Sequence, residues 1–143
     1  MRGFLLDTNI LSDAIKPIPS PSLLAWMEAQ EDDRLFISSV SVAEILRGIL
    51  DKPAGRKRSA LEEWFAGPSG PRSLFAGRIL PFDEAAALAW ARLMSDGRAR
   101  GKPRSEVDML VAAIAAANDC VIVTDNTRDF FGLGTINPMR SEI

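Results

Sequence analysis

The chain has no histidine, no tyrosine and a single cysteine among its 143 residues. Histidine is the usual general acid and base near neutral pH. Its absence excludes metal-free ribonuclease chemistry built on paired histidines, together with serine–histidine and cysteine–histidine hydrolase mechanisms. One cysteine builds no disulfide framework. Cys120 lies in an apolar run and reads as a small core residue, which fits a reducing compartment. Long hydrophobic runs are missing as well. The longest uncharged one, about Met109 to Ala117, falls far short of the roughly 20 residues that cross a bilayer. Phe4-Leu5-Leu6 is cut short by Asp7, so no signal peptide is expected and the cytoplasm is the expected address.

A strong excess of either charge is also lacking. The net charge of −2 argues against broad, purely electrostatic binding of nucleic acid. Basic residues are nonetheless locally dense, in Arg56-Lys57-Arg58 and again in Arg98, Arg100, Lys102 and Arg104. Each group taken alone reads as a solvated loop or helix end, although basic patches beside an acidic site would suit a nuclease.

What is present is an ordinary globular composition, 47% apolar and 25% charged, in a length that suits one compact domain spanning residues 1–143. Four short apolar runs read as buried strands: Gly3–Leu6, Leu35–Ser38, Arg78–Leu80 and Val121–Thr124. Val42, Ile45, Leu46 and Ile49 follow the i, i+3, i+4, i+7 spacing of one helix face. Further helices are expected at about Pro21–Gln30, Lys57–Ala66, Glu84–Asp96 and Ser105–Asn118. Strands alternating with helices predict an α/β fold, with a parallel sheet covered on both faces. The Pro17–Pro21 and Gly67–Pro71 stretches, and a charged connector from Gly97 to Pro103, punctuate these elements.

The acids fall at informative places. Asp7 closes the first apolar run, and ligands of open α/β sheets bind beyond the carboxyl ends of the strands. Asp125 stands in the same relation to Val121–Thr124, with Asn126 and Asp129 close behind. Either Asp7 or Asp125 also suits a helix N-cap. Glu44, three residues after Ser41, fits a capping box in which its carboxylate reaches back to the Ser41 N–H. Asp108 is harder to place as a structural residue. It is the only charged residue between Val107 and Ala117, and Val111, Ala112 and Ala115 share its helix face. A carboxylate buried there calls for a partner or a cation. Should these acids meet at the strand ends, they repel: two like charges about 4 Å apart cost roughly 4 kcal/mol at an effective dielectric of about 20. A hard divalent cation with oxygen ligands, magnesium or manganese, would compensate them and supply phosphoryl chemistry without histidine.

Four segments, in order, carry a resemblance: Phe4-Leu5-Leu6-Asp7-Thr8-Asn9-Ile10-Leu11-Ser12, Ser41-Val42-Ala43-Glu44-Ile45, Val107-Asp108-Met109-Leu110-Val111-Ala112-Ala113 and Val123-Thr124-Asp125-Asn126-Thr127-Arg128-Asp129-Phe130. Together they resemble the PIN-domain toxins of bacterial type II toxin–antitoxin modules, the VapC family. The run Leu74 to Glu84 is similar to the FitB branch. The resemblance implies a three-layer α/β/α domain with a mainly parallel sheet. It also implies Mg²⁺- or Mn²⁺-dependent endoribonuclease activity on structured RNA, a homodimer, and a VapB-like antitoxin whose tail lies in a groove beside the site and through which alone the protein contacts DNA. Carried over residue by residue, it makes Asp7 and Asp108 direct metal ligands, with Glu44 holding a water of the ion or a second ion. Asp129 is favoured as the fourth acid, with Asn126 as its polar neighbour and Asp125 pointing elsewhere; an Asn126 cap with Asp129 as its partner stays open. Thr8 and Asn9 are expected to orient Asp7. The helices around Pro21–Gln30 and Val42–Leu50, with Trp26, Leu46 and Ile49, are candidates for the groove.

Two other readings compete. A phosphotransferase using Asp7 as nucleophile would be expected to repeat an acid two residues on, where Asn9 stands. A non-catalytic PIN-like module that binds RNA or a partner would be expected to lack some of the four acidic positions, which are filled.

Overall fold

The computed structural model describes residues 2–130 and 132–139. Its strands β1 (Gly3–Leu6), β2 (Leu35–Ser38), β3 (Ile79–Leu80), β4 (Cys120–Val123) and β5 (Thr135–Ile136) form one sheet in the order β3-β2-β1-β4-β5. Every neighbouring pair is parallel, with Phe4 opposite Leu35 on one side of β1 and opposite Val121 on the other. From β1 the chain builds outward through β2 and β3, then returns to the opposite side for β4. The switch point is therefore at the carboxyl ends of β1 and β4, where α/β sheets open a crevice.

Alternation along the strands divides the apolar residues between two faces. Phe4, Leu6, Leu35, Ile37 and Val123 point to one side and pack with helix α1 (Thr8–Ala14), α2 (Pro21–Glu28) and α3 (Ser39–Leu50), through Ile10, Leu11, Leu23 and the partly buried Val42 and Ile45. Leu5, Phe36 and Ile122 point to the other and pack with α6 (Glu84–Ala99) and α7 (Glu106–Ala117). These are the three α/β/α layers predicted from the sequence. Small residues make the second layer tight: Ala112 and Ala115 on α7 are nearly inaccessible and let the helix approach both the sheet and α6. No helix among the described residues is long and apolar enough to cross a membrane.

The remaining elements are α4 (Arg56–Ala66), the one-turn α5 (Pro71–Leu74) and two 3₁₀ turns, Asp32–Arg34 and Thr127–Phe130. The expected elements are present with shifted ends; α5 and β5 were not anticipated, being too short to show a period. One boundary moves for a physical reason. The connector expected to begin at Gly97 begins at Arg100, because α6 runs on to Ala99. Gly97 is buried inside the helix, and a Cβ there would stand 2.9 Å from Arg104 Cγ and 3.0 Å from the Lys102 carbonyl oxygen. The glycine thus leaves room for the stem of the buried Arg104.

Candidate active site

Asp7 is positioned by both structures that meet at it. As the N-cap of α1 it accepts the Ile10 N–H through Oδ1 at 2.9 Å. It also accepts a hydrogen bond from the hydroxyl of Thr124, the fully buried residue that follows β4. Thr124 Oγ1 in turn accepts the Asn126 N–H at 3.0 Å. The cap reading and the site reading of Asp7 are therefore compatible. Only 7% of the residue is exposed, and that burial raises its carboxyl above the usual 3.8, with the charges of Asp125 and Asp108 adding to the effect.

Glu44 reaches the same place from α3. The capping box expected with Ser41 does not form, since α3 begins at Ser39 and its cap is Ser38, whose Oγ accepts the Ser41 N–H at 3.0 Å. That puts Glu44 in the second turn, where its Oε1 accepts the Thr8 hydroxyl at 2.6 Å. Thr8 thus holds Glu44 and not, as expected, Asp7. Asn9, also expected to orient Asp7, lines the pocket beside it.

Asp108 sits in the first turn of α7, partly exposed, with Ser105 as the helix cap. This softens its sequence-level anomaly, because the positive end of a helix dipole favours an acid. Its carboxyl is still raised, first by burial, then by the charges of Asp129 and Glu44, while a hydrogen bond from Ser105 opposes the shift. Asp129 lies on the 3₁₀ turn Thr127–Phe130 and neighbours Asp108; its carboxylate also accepts a hydrogen bond from the Asn126 amide. The two candidates for the fourth position therefore form a single unit. Asp125 is exposed and lines no part of the pocket, yet it is close enough to raise Asp7, so it is less remote than expected.

Asp7, Thr8, Asn9, Glu44, Asp108, Val111 and Phe130 line one pocket of about 70 Å³ at the switch point. Sequence reasoning missed Ser38, Ser41, Thr124 and Phe130 as parts of this centre. For the hydroxyl residues a signal existed: Ser38 and Thr124 stand directly after buried apolar strand residues, just as Asp7 does. The donor set is all oxygen, and two of its acids are held in a raised, charge-crowded state that a hard divalent cation would relieve. Among the described residues no three acids converge tightly enough to hold an ion by themselves. One or two carboxylates with water completing the shell is the form in which magnesium is commonly held.

A second concavity, of about 570 Å³ and largely apolar, opens between α1, α3 and α4 and is lined by Ile15, Pro17, Ile45, Ile49, Leu61 and Trp64. Ile49 was a candidate for such a groove. Trp26 was too, but its ring packs edge-on against Phe4 at 5.0 Å and it belongs to the core side of α2.

Fold and site together define an α/β protein with an acidic, cation-suited centre at the switch point of a parallel sheet. A family model described as "PIN domain" matches residues 4–132. Across 136 residues the chain is 37% identical to a VapC ribonuclease of Sinorhizobium fredii, covering 94% of this chain and 96% of that one. It is 34% identical over 136 residues to the toxin FitB of Neisseria gonorrhoeae, with the same coverage of 94% and 96%. The solved complex of FitAB bound to a DNA fragment superposes with a TM-score of 0.85 at 32% identity, covering 98% of each chain. The chain belongs to the PIN-domain family, a metal-dependent one, on its VapC and FitB side.

Proposed function

We propose that the protein is the toxin of a type II toxin–antitoxin module, a Mg²⁺- or Mn²⁺-dependent endoribonuclease acting in the cytoplasm. The observation that carries this reading is the convergence of Asp7, Glu44 and Asp108, from three separate segments, on one pocket. Asp7 and Asp108 would hold the cation, whose presence lowers the pKa of water and stabilises charge developing on phosphoryl oxygens. Thr124 and the Ile10 N–H fix the Asp7 carboxylate for this role. Glu44 lines the pocket and has Oε1 engaged by Thr8; its carboxylate would orient a water and accept its proton. As the water oxygen bonds to phosphorus, the bond to the leaving ribose oxygen would break; that oxygen would take a proton from solvent water, and Glu44 would return the proton it accepted to solvent. Asp129, paired with Asn126, completes the negative rim beside Asp108.

Relatives named VapC ribonuclease and tRNA(fMet)-specific endonuclease support RNA as the substrate class. Related solved structures are toxin–antitoxin complexes, FitAB and a VapBC among them, in both cases with DNA. The apolar groove beside α3 suits the tail of such an antitoxin, which would reach the acids along the helix that carries Glu44. DNA contact would come through that partner alone, and the toxin itself would form a homodimer.

The test is cleavage of an RNA mixture by purified protein with Mg²⁺. Cleavage should vanish with EDTA and fall at least about a hundredfold in Asp7→Asn and Asp108→Asn, the scale of a lost electrostatic group at a reacting centre. Activity that persists in either variant, or ignores EDTA, would refute the assignment.

A further inference from the structure

Behind Glu44 lie two hydroxyls that the reading above does not use. Ser38 and Ser41 are both fully buried, with 0% exposure. Ser38 Oγ donates to Ser41 Oγ at 3.2 Å, Ser41 Oγ meets Thr8 Oγ1 at 2.9 Å, and Thr8 Oγ1 donates to Glu44 Oε1 at 2.6 Å. A hydroxyl has one proton to give. Thr8 gives its proton to the carboxylate, so Ser41 must give its own to Thr8, leaving Ser38 to donate to Ser41. The whole chain has a single polarity, set by the acid at its end.

Its far end is closed. Ser38 Oγ also accepts the Ser41 N–H at 3.0 Å, and no solvent reaches it, so this is not a proton path to water. What the chain does is fix direction. Among the described residues Thr8 is the hydrogen-bond partner of Glu44, and Thr8 points its proton at Glu44 because Ser41 occupies its acceptor side. Ser41 is held in turn from β2, since Ser38 is at once the last strand residue and the cap of α3. Three elements, β2, α1 and α3, are thereby locked to one carboxylate.

We infer that Ser41, backed by Ser38, is a positioning residue of the acidic centre, aiming the Glu44 carboxylate through Thr8. The inference rests on the role given to Glu44 above. In Ser41→Ala the Thr8 hydroxyl loses the donor that orients it, and Glu44 samples other rotamers. The loss should appear as a fall in kcat of about fivefold to tenfold, the scale of one neutral hydrogen bond, with KM for RNA within about twofold. The affinity for Mn²⁺ alone, read by calorimetry, should weaken by a similar factor. Ser41→Cys, nearly the same size with a weaker donor, should fall between wild type and Ser41→Ala.

The deciding measurement is a double-mutant cycle with Glu44→Gln, read both as residual cleavage and as Mn²⁺ affinity. If Ser41 acts through Glu44, Ser41→Ala changes neither quantity in the Glu44→Gln background. An unchanged fold-loss in that background, or a change in KM alone, overturns the inference and leaves Ser41 a packing residue. Should Ser41→Ala not fold, Ser41→Cys carries the same cycle. A Glu44→Gln protein as active as wild type would instead overturn the role of Glu44 itself, a result distinguishable from the others.

Discussion

Asp7→Asn should raise the stability of the cation-free protein and lower that of the cation-loaded one, so that adding Mg²⁺ reverses the order. Asparagine keeps an oxygen for the Ile10 N–H, caps a helix as well as aspartate does, and still offers the Thr124 hydroxyl a partner. Only the charge is removed, from a residue 7% exposed and crowded by Asp125 and Asp108. Burial is the largest cost of that charge, with the two neighbouring acids adding to it, and relieving it is worth on the order of 2 kcal/mol. The hydrogen bonds of Thr124 and Ile10 to the charged form offset part of this, leaving a gain of about 1 kcal/mol. For a chain of this size that is a rise of roughly 3–4 °C in Tm. Asp7→Ala is the control. It loses the cap, about 1 kcal/mol, and strands a buried hydroxyl, about 1 kcal/mol more, so it should melt below wild type.

With free Mg²⁺ at about 100 times its Kd, linkage adds about 2.7 kcal/mol to wild type, and Asp7→Asn forfeits most of it. The pH dependence has a definite sign. The folded carboxyl lies above its unfolded value of 3.8, so between the two the native state holds more protons and wild-type stability falls as pH rises. The advantage of Asp7→Asn is thus absent below 3.8 and complete only above the raised folded value. Thermal unfolding in EDTA and in Mg²⁺ across pH 4–8 reads all of this. If Asp7→Asn melts no higher than wild type in EDTA, the burial argument fails; if Mg²⁺ lifts both proteins equally, Asp7 is not a ligand.

Asp13 should show the opposite pH behaviour: the Ser20 hydroxyl and N–H, at 2.6 and 2.7 Å, hold its carboxyl below 3.8, with Lys16 helping. Its stabilisation is present above 3.8 and lost as pH falls through the lower folded value, so Asp13→Asn should flatten the acid limb of a urea-midpoint profile, and an unchanged limb would contradict this. Gly97→Ala should lose about 1–3 kcal/mol to overpacking against Arg104 despite alanine's better helix propensity; a higher urea midpoint would show that Arg104 is not seated there. Leu61→Glu, placing a charge in the apolar groove, should abolish capture by the cognate antitoxin while RNA cleavage stays within about twofold of wild type. Retained capture in a pull-down would move the antitoxin to another surface.

The legible part of this molecule is what repeats along the chain with a period or ends a run. The buried strands were readable because β1, β2 and β4 are short apolar runs closed by a polar residue, and Asp7 was readable because it closes one of them. Burial on two faces also explains why those runs hardly alternate in character: Phe4 and Leu5 point to opposite layers, and both layers are apolar. The illegible part is what depends on two segments meeting. Ser41 and Glu44 have capping-box spacing, and only the register of α3 against β2 shows that the cap is Ser38. Thr8 stands next to Asp7 in sequence, so it read as a helper of Asp7, whereas the crossing of α1 and α3 delivers its hydroxyl to Glu44.

The same contrast separates the acids themselves. Asp108 looked anomalous because its helix is apolar for nine residues after it, but the first turn of α7 is a tolerable place for a single carboxylate. What makes its charge costly is burial together with long-range company, Asp129 on the turn after β4 and Glu44 on α3. A site of this kind is written twice in a sequence: once as polar residues at the ends of apolar runs, which can be read directly, and once as the hydroxyls and amides that aim them. Those aiming groups also serve as ordinary caps and strand ends. Ser38, Thr124 and Ser105 each combine the two duties, so their role in the centre appears only when the partner segment is in place.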